Sequence, residues 1–223
     1  MIKVVEMYGL PGCGKTTYFN RILESKRSSN VNVVGKEEVI SLIKNCSINL
    51  KLISFVNVFP RFLMLLGNIK KRQGEQLKPY LYAVRLLFLA LFKHHLMLAL
   101  LQKGDSRNDS IVVLDQWVLQ DLWSVEVKYG LVNKAEILSS IYKGIDFDYT
   151  VIWILVDERT CKESINTRSD GDSFLDGKAD EYISSYLEIG NAICNEAILE
   201  LESVIVSSNF RVLRKLRTEL NSL

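Results

Sequence analysis

Residues Gly9-Leu10-Pro11-Gly12-Cys13-Gly14-Lys15-Thr16 spell G-x-x-x-x-G-K-[ST], a pattern whose parts all serve one task. Glycines allow the backbone to approach a phosphate closely, and successive N–H groups at a helix start form a nest for an anion. The lysine reaches the outer phosphates and the following hydroxyl is suited to Mg²⁺. Within that pattern Gly9, Pro11, Gly12, Cys13, Gly14, Lys15, Thr16 and Thr17 are the candidate nucleotide-binding residues, with Thr16 preferred over Thr17 for the metal. The expected cofactors are ATP and Mg²⁺. Cys13 reads as a small loop residue rather than a nucleophile.

A second candidate is Asp115, which ends the apolar run Ile111-Val112-Val113-Leu114. A carboxylate at the tip of a strand can hold Mg²⁺ or serve as a base in phosphoryl transfer; an ordinary helix-capping aspartate is the alternative. A third is Arg168, ahead of the polar run Ser169-Asp170-Gly171-Asp172-Ser173, where a helix, an arginine and a mobile loop suit a closing lid over about 168–178. The catalytic set is then Lys15, Asp115 and Arg168, with Thr16 and Asp115 as metal ligands. A surface loop with a solvated arginine is the alternative for the lid.

These residues need elements to position them. Strands are expected at Ile2–Tyr8, Val31–Val34, Ile111–Leu114, Tyr149–Val156 and Val204–Val206. Helices are expected at Lys15–Ser25, Glu37–Asn45, Leu119–Tyr129, Lys134–Tyr142, Thr160–Thr167, Ala179–Glu200 and Phe210–Asn221. Apolar strands alternating with helices imply α/β architecture, with a parallel sheet covered on both faces. Right-handed crossovers put all strand C-termini, and so the site, on one edge.

The remaining stretch, 48–103, behaves as a helical insertion in a core formed by 1–47 and 104–223. It contains Phe55–Gly67, expected to break at Pro60, and a long apolar helix from Pro79 to Gln102. Between Leu50 and Lys103 nine basic residues face one acid, Glu75, so this stretch carries +8 while the rest of the chain carries −6. Such polarity suits an anionic partner, whether a phosphorylated substrate, a polyanion or a membrane surface, and a solvated basic face is the plain alternative. The long helix suits burial in the core or against a second subunit, a homodimer included; contact with a membrane is the other reading. Nothing in the chain asks for DNA.

Cys13, Cys46, Cys161 and Cys194 are widely spaced and lack metal-site or disulfide patterning. A strand reading from residue 2 leaves no room for a secretory signal, so the expected location is cytoplasmic, with the inner face of a membrane as a peripheral position. The tract Asn133-Lys134-Ala135-Glu136 falls short of a guanine-specificity motif, because its fourth residue is not Asp and it opens a helix.

With these residues placed, the chain resembles the thymidylate-kinase-like branch of the P-loop nucleoside and nucleotide kinases. Gly9–Thr17 matches the family's phosphate loop, and Leu114-Asp115-Gln116-Trp117 stands where the family has Asp-Arg and an aromatic. Tyr149–Val156 and the helix ending at Arg168 look like its fourth strand and lid entry. The run Val204-Ile205-Val206-Ser207-Ser208 resembles its last strand and the turn beside the adenine, which would add Ser207 to the nucleotide contacts. The resemblance implies a three-layer P-loop NTPase fold with a five-stranded parallel sheet, and transfer of the ATP γ-phosphoryl group. Departures lie on the acceptor side. Gln116 replaces an arginine, Ser164 replaces another in the lid helix, and Gly35-Lys36-Glu37-Glu38 lacks the family's Glu-Pro, although Glu37 or Glu38 could approach an acceptor. The acceptor expected is a nucleoside or nucleotide, or a sugar, glycan or lipid-linked group. A regulatory ATPase that docks a protein or membrane through the insertion is the rival reading.

Overall fold

Runs of β-branched residues too short for helices, each followed by an amphipathic or apolar helix, fold as expected into parallel strands joined by helical crossovers. The computed structural model describes residues 2–27, 32–69, 77–103, 110–142, 148–167, 175, 177–204 and 210–216. In chain order these form β1 (Ile2–Tyr8), α1 (Lys15–Arg27), β2 (Asn32–Gly35), α2 (Lys36–Asn45), α3 (Ile48–Leu65), α4 (Leu77–Lys103), β3 (Ser110–Leu114) and α5 (Val118–Tyr129). They continue as α6 (Lys134–Tyr142), β4 (Asp148–Leu155), α7 (Glu158–Asn166), α8 (Asp180–Val204) and β5 (Phe210–Leu216).

All pairings are parallel and the sheet order is β2-β3-β1-β4-β5. Consecutive residues Val4, Val5, Glu6 and Met7 of the central strand are buried, as are Val112, Val113 and Leu114 of β3. A pleated strand alternates its side chains between faces, so burial of neighbours means that both faces of the sheet are covered. The α/β architecture with five parallel strands is therefore the one that the sequence predicts.

Two local readings are corrected. Val204 is the last residue of α8, not the start of a strand, and Phe210–Leu216 is a strand where the sequence suggests a helix. The run Phe-Arg-Val-Leu-Arg-Lys-Leu satisfies a three-residue spacing and a two-residue alternation about equally. The open edge of β4 decides, pairing Tyr149 with Phe210 through to Leu155 with Leu216. Arg214 also lies over the Trp153 ring on its partner strand, 5.5 Å from the centroid.

Pro60 does not break its helix either: α3 runs unbroken from Ile48 to Leu65. Pro60 and Val56, one turn earlier, both lie on the exposed side, where water can take up the hydrogen bond that proline cannot give. Ser47 caps this helix by accepting the Leu50 N–H at 3.3 Å. The long helix α4 is continuous, and its Leu87, Ala90, Leu91 and Met97 share one hydrophobic cluster with Val58, Phe62 and Leu65 of α3 and with the central strands.

Candidate active site

The loop Gly9–Gly14 joins β1 to α1 and so lies at the carboxyl edge of the sheet, beside the α1 N-terminus. Gly12 adopts φ +79°, and a Cβ there would sit 2.6 Å from the Cys161 carbonyl oxygen of α7. Only glycine lets the loop lie so close to that helix. Cys13 is buried, and its N–H donates to the Leu10 carbonyl at 3.2 Å, closing the turn.

Lys15, the first residue of α1, curls back over the loop. Its ammonium donates to the carbonyls of Gly9 at 2.8 Å and Leu10 at 2.9 Å, and lies 3.6 Å from Cys13 Sγ. The residue is 6% exposed, so a full positive charge is held in a largely water-excluded curve of backbone.

Asp115 follows the last residue of β3, and Leu114 pairs with Glu6 of β1. That register brings the tips of these adjacent strands together. Thr16 Oγ1 donates to Asp115 Oδ2 at 3.3 Å, while Lys36 Nζ stands 3.8 Å from Oδ1. Thr16, not Thr17, meets the carboxylate; Thr17 is exposed one position further along α1.

Lys36 is the residue that reading the sequence overlooked. It opens α2 directly after β2, and the pairing of Gly35 with Val113 carries it to the same edge as Asp115. Its position immediately after a strand was the signal available, but only the sheet order shows which strand tip lies beside it. Of the two acids weighed for the acceptor, Glu38 accepts the Gly35 N–H at 3.2 Å and so caps α2, while Glu37 is exposed in the first turn. Gln116 is exposed and uncharged. Ser164 lies in α7. Arg168, the lid segment 169–174 and Ser207 lie outside the described residues.

No family model and no curated protein sequence matches the chain. Among solved structures it is similar to deoxyadenosine kinase from M. mycoides with products dCMP and a flexible dCDP bound, at 14% identity over 98% of this chain and 93% of that one, with a TM-score of 0.46. It is also similar to deoxyadenosine kinase from M. mycoides with bound dATP, at 14% identity over 99% and 96%, with a TM-score of 0.41. Likeness of that degree assigns no chemistry to this chain, which must come from its own side chains.

Behind Asp115 a buried polar network holds the segment in place. Glu6 of β1 is fully buried and accepts three hydrogen bonds: from Leu119 N–H at 2.9 Å, Tyr142 Oη at 2.8 Å and Tyr149 Oη at 2.7 Å. Trp117, at the N-cap of α5, offers no side-chain cap, and the Glu6 carboxylate caps the helix from the neighbouring strand. Trp117 is itself buried, donates its indole N–H to His94 Nδ1 at 3.2 Å, and lies under Lys93 at 4.4 Å from the ring centroid. Lys93 also pairs with Asp121 in the first turn of α5. Burial pushes the His94 pKa down to about 3, so the ring is neutral, and the indole donor places its proton on Nε2.

Burial also raises the Glu6 pKa above the ordinary carboxylate value, against lowering by Tyr149, Leu119, Tyr142 and the nearby Lys93 charge. The folded state therefore binds this proton more tightly than the unfolded chain does. The stabilisation is full below the ordinary carboxylate pKa and is lost as pH rises through the raised value. Urea unfolding of wild type and Glu6→Gln across pH checks this. Relative to the variant, wild type is expected to be most stable on the acid side and to lose ground steadily toward neutrality. Parallel pH profiles would contradict that expectation.

Proposed function

We propose that the chain is an ATP-dependent phosphotransferase, a small-molecule kinase in which Lys15 and Asp115 act together at the carboxyl edge of the sheet. The observation that carries this reading is the contact between Thr16 and Asp115, which joins the phosphate loop to a carboxylate from the adjacent strand. A hydroxyl and a carboxylate converging at one point are hard oxygen donors of the kind Mg²⁺ prefers. Thr16 and Asp115 are the residues that would hold the ion, and the ion would neutralise charge on the phosphates.

In this reading the loop N–H groups and the α1 N-terminus bind the phosphates, and Lys15 offsets charge that builds on the transferring group. Asp115 orients the ion or takes the acceptor's proton. Lys36 supplies a cation beside the same carboxylate. Arg168 and the segment up to residue 178 serve as the closing lid, and Ser207 contacts the nucleotide. A nucleoside or nucleotide is the first-ranked acceptor, followed by a sugar or lipid-linked group.

Incubation with γ-labelled ATP and Mg²⁺ against nucleosides, nucleotides and sugars tests the reading. The expected result is ADP formed in equal amount with one labelled acceptor. The exposed, uncharged Gln116 favours a second reading, a regulatory ATPase. ADP and free phosphate released on addition of a protein partner, with no acceptor in the panel labelled, would select it.

A further inference from the structure

Helix α3 is apolar around most of its circumference, yet only one stripe of it is buried: Leu50, Ser54, Val58, Phe62 and Leu65. The opposite side presents Ile48, Leu52, Ile53, Phe55, Val56, Phe59, Leu63 and Met64 to solvent, with Ile48 74%, Met64 68% and Val56 66% exposed. At 3.6 residues per turn these eight side chains fill an outward arc of about 180°, along a helix about 27 Å long. No charged residue falls within that arc. Lys51 and Arg61 stand instead about 40° to either side of the centre of the buried stripe, behind the apolar ridge. The ridge continues onto α4, where Leu81, Tyr82 and Leu89 are exposed around Arg85. Phe88 joins the two helices, its ring 5.9 Å from Phe55 and 5.1 Å from Phe62.

An apolar surface this continuous marks an interface. Both helices meet the length and composition of a membrane span, with mean hydropathy reaching 1.5 over the most apolar 18 residues of Ile48–Asn68 and 1.7 over those of Tyr80–Lys103. The buried stripe of α3 belongs to the protein core, however, which holds the helix against the domain rather than across a bilayer. Charge decides the occupant. Among the described residues α3 and α4 carry no acid. A second copy docked ridge to ridge would place Arg85 in the seam with no carboxylate from either helix to pair it, and would leave Lys51 and Arg61, behind the ridge, without an anion.

We propose that the α3 ridge docks the protein on an anionic lipid bilayer, peripherally and parallel to its surface. The apolar arc enters the boundary between headgroups and acyl chains, and the flanking cations, half a helix width behind it, lie at the level of the phosphates. This goes beyond the phosphotransferase reading and stands without it, since the test measures no activity.

Co-sedimentation of the full chain at low ionic strength compares vesicles of phosphatidylcholine alone with vesicles that also contain phosphatidylglycerol. Binding is expected to the mixed vesicles, at least about tenfold weaker to the neutral ones, and reduced by high salt. Arg61→Gln is expected to weaken binding about fivefold. The double change Leu52→Asp and Val56→Asp, both on exposed positions, is expected to abolish it while leaving the circular dichroism spectrum unchanged. Should that variant fail to fold, Phe59→Trp reports the same contact: the emission of the introduced indole shifts to the blue with mixed vesicles and not with neutral ones. Failure to bind mixed vesicles, equal binding to both, or an unmoved emission from the Phe59→Trp variant overturns the proposal. So does a dimer in analytical ultracentrifugation that Leu52→Asp converts to monomer.

Discussion

Replacing Lys15 by alanine is expected to lower kcat/KM for ATP turnover by at least about 10³-fold, about 4 kcal/mol of lost transition-state stabilisation. The ammonium sits in a curve of backbone where water has little access, 2.8 Å and 2.9 Å from two carbonyl oxygens. A charge fixed there needs little reorganisation when negative charge builds on a phosphoryl group, and low local polarity strengthens its effect. Alanine also leaves the Gly9 and Leu10 carbonyls without this donor, so the loop loses part of what shapes it. Calorimetric titration with ATP and initial rates of ADP formation check both consequences, with a thermal melt to confirm folding. Wild-type turnover in Lys15→Ala would remove the phosphate loop from the reaction.

Asp115→Asn is expected to separate chemistry from binding. The substitution keeps shape and still offers an oxygen to Thr16 Oγ1, so nucleotide affinity is expected to stay within about tenfold, or ~1.4 kcal/mol. Turnover is expected to fall by ~10²-fold or more, because asparagine neither takes a proton nor offers an anionic oxygen to a metal. Lys36 would then face a neutral partner, a modest change for a partly exposed pair 3.8 Å apart. Rates measured at saturating ATP, with affinity measured by direct titration, divide the two effects. Unchanged turnover would make Asp115 a structural cap. A parallel loss of affinity and rate would make it a binding residue alone.

The glycine-rich loop between β1 and α1 was legible in sequence because its geometry is local. Gly12 and Gly14 take positive φ, and Lys15 folds back onto the Gly9 and Leu10 carbonyls, so eight consecutive letters describe the turn. The strand following the long apolar helix was legible for a similar reason, since Ile111–Leu114 is too short and too β-branched to be read otherwise. Phe210–Leu216 was misread because its pattern fits two periods, and only the free edge of β4 distinguishes them.

What only tertiary structure decided concerns residues that act from afar. Lys36, Thr16 and Asp115 come from three segments, and they meet because β3 lies between β2 and β1 in the sheet. Glu6 caps a helix that begins more than a hundred positions later, and His94 of α4 receives the Trp117 indole that anchors the Asp115 turn. The exposed ridge of α3 belongs here too: composition shows an apolar helix, but burial of a single stripe shows which side is left for a partner. By itself the sequence determined the glycine-rich turn between the first strand and the first helix and the parallel α/β class, because backbone geometry and hydrophobic period are encoded within a few residues of each other. Strand order decided which charges face the loop, because long-range packing brings them together at positions that no local pattern specifies.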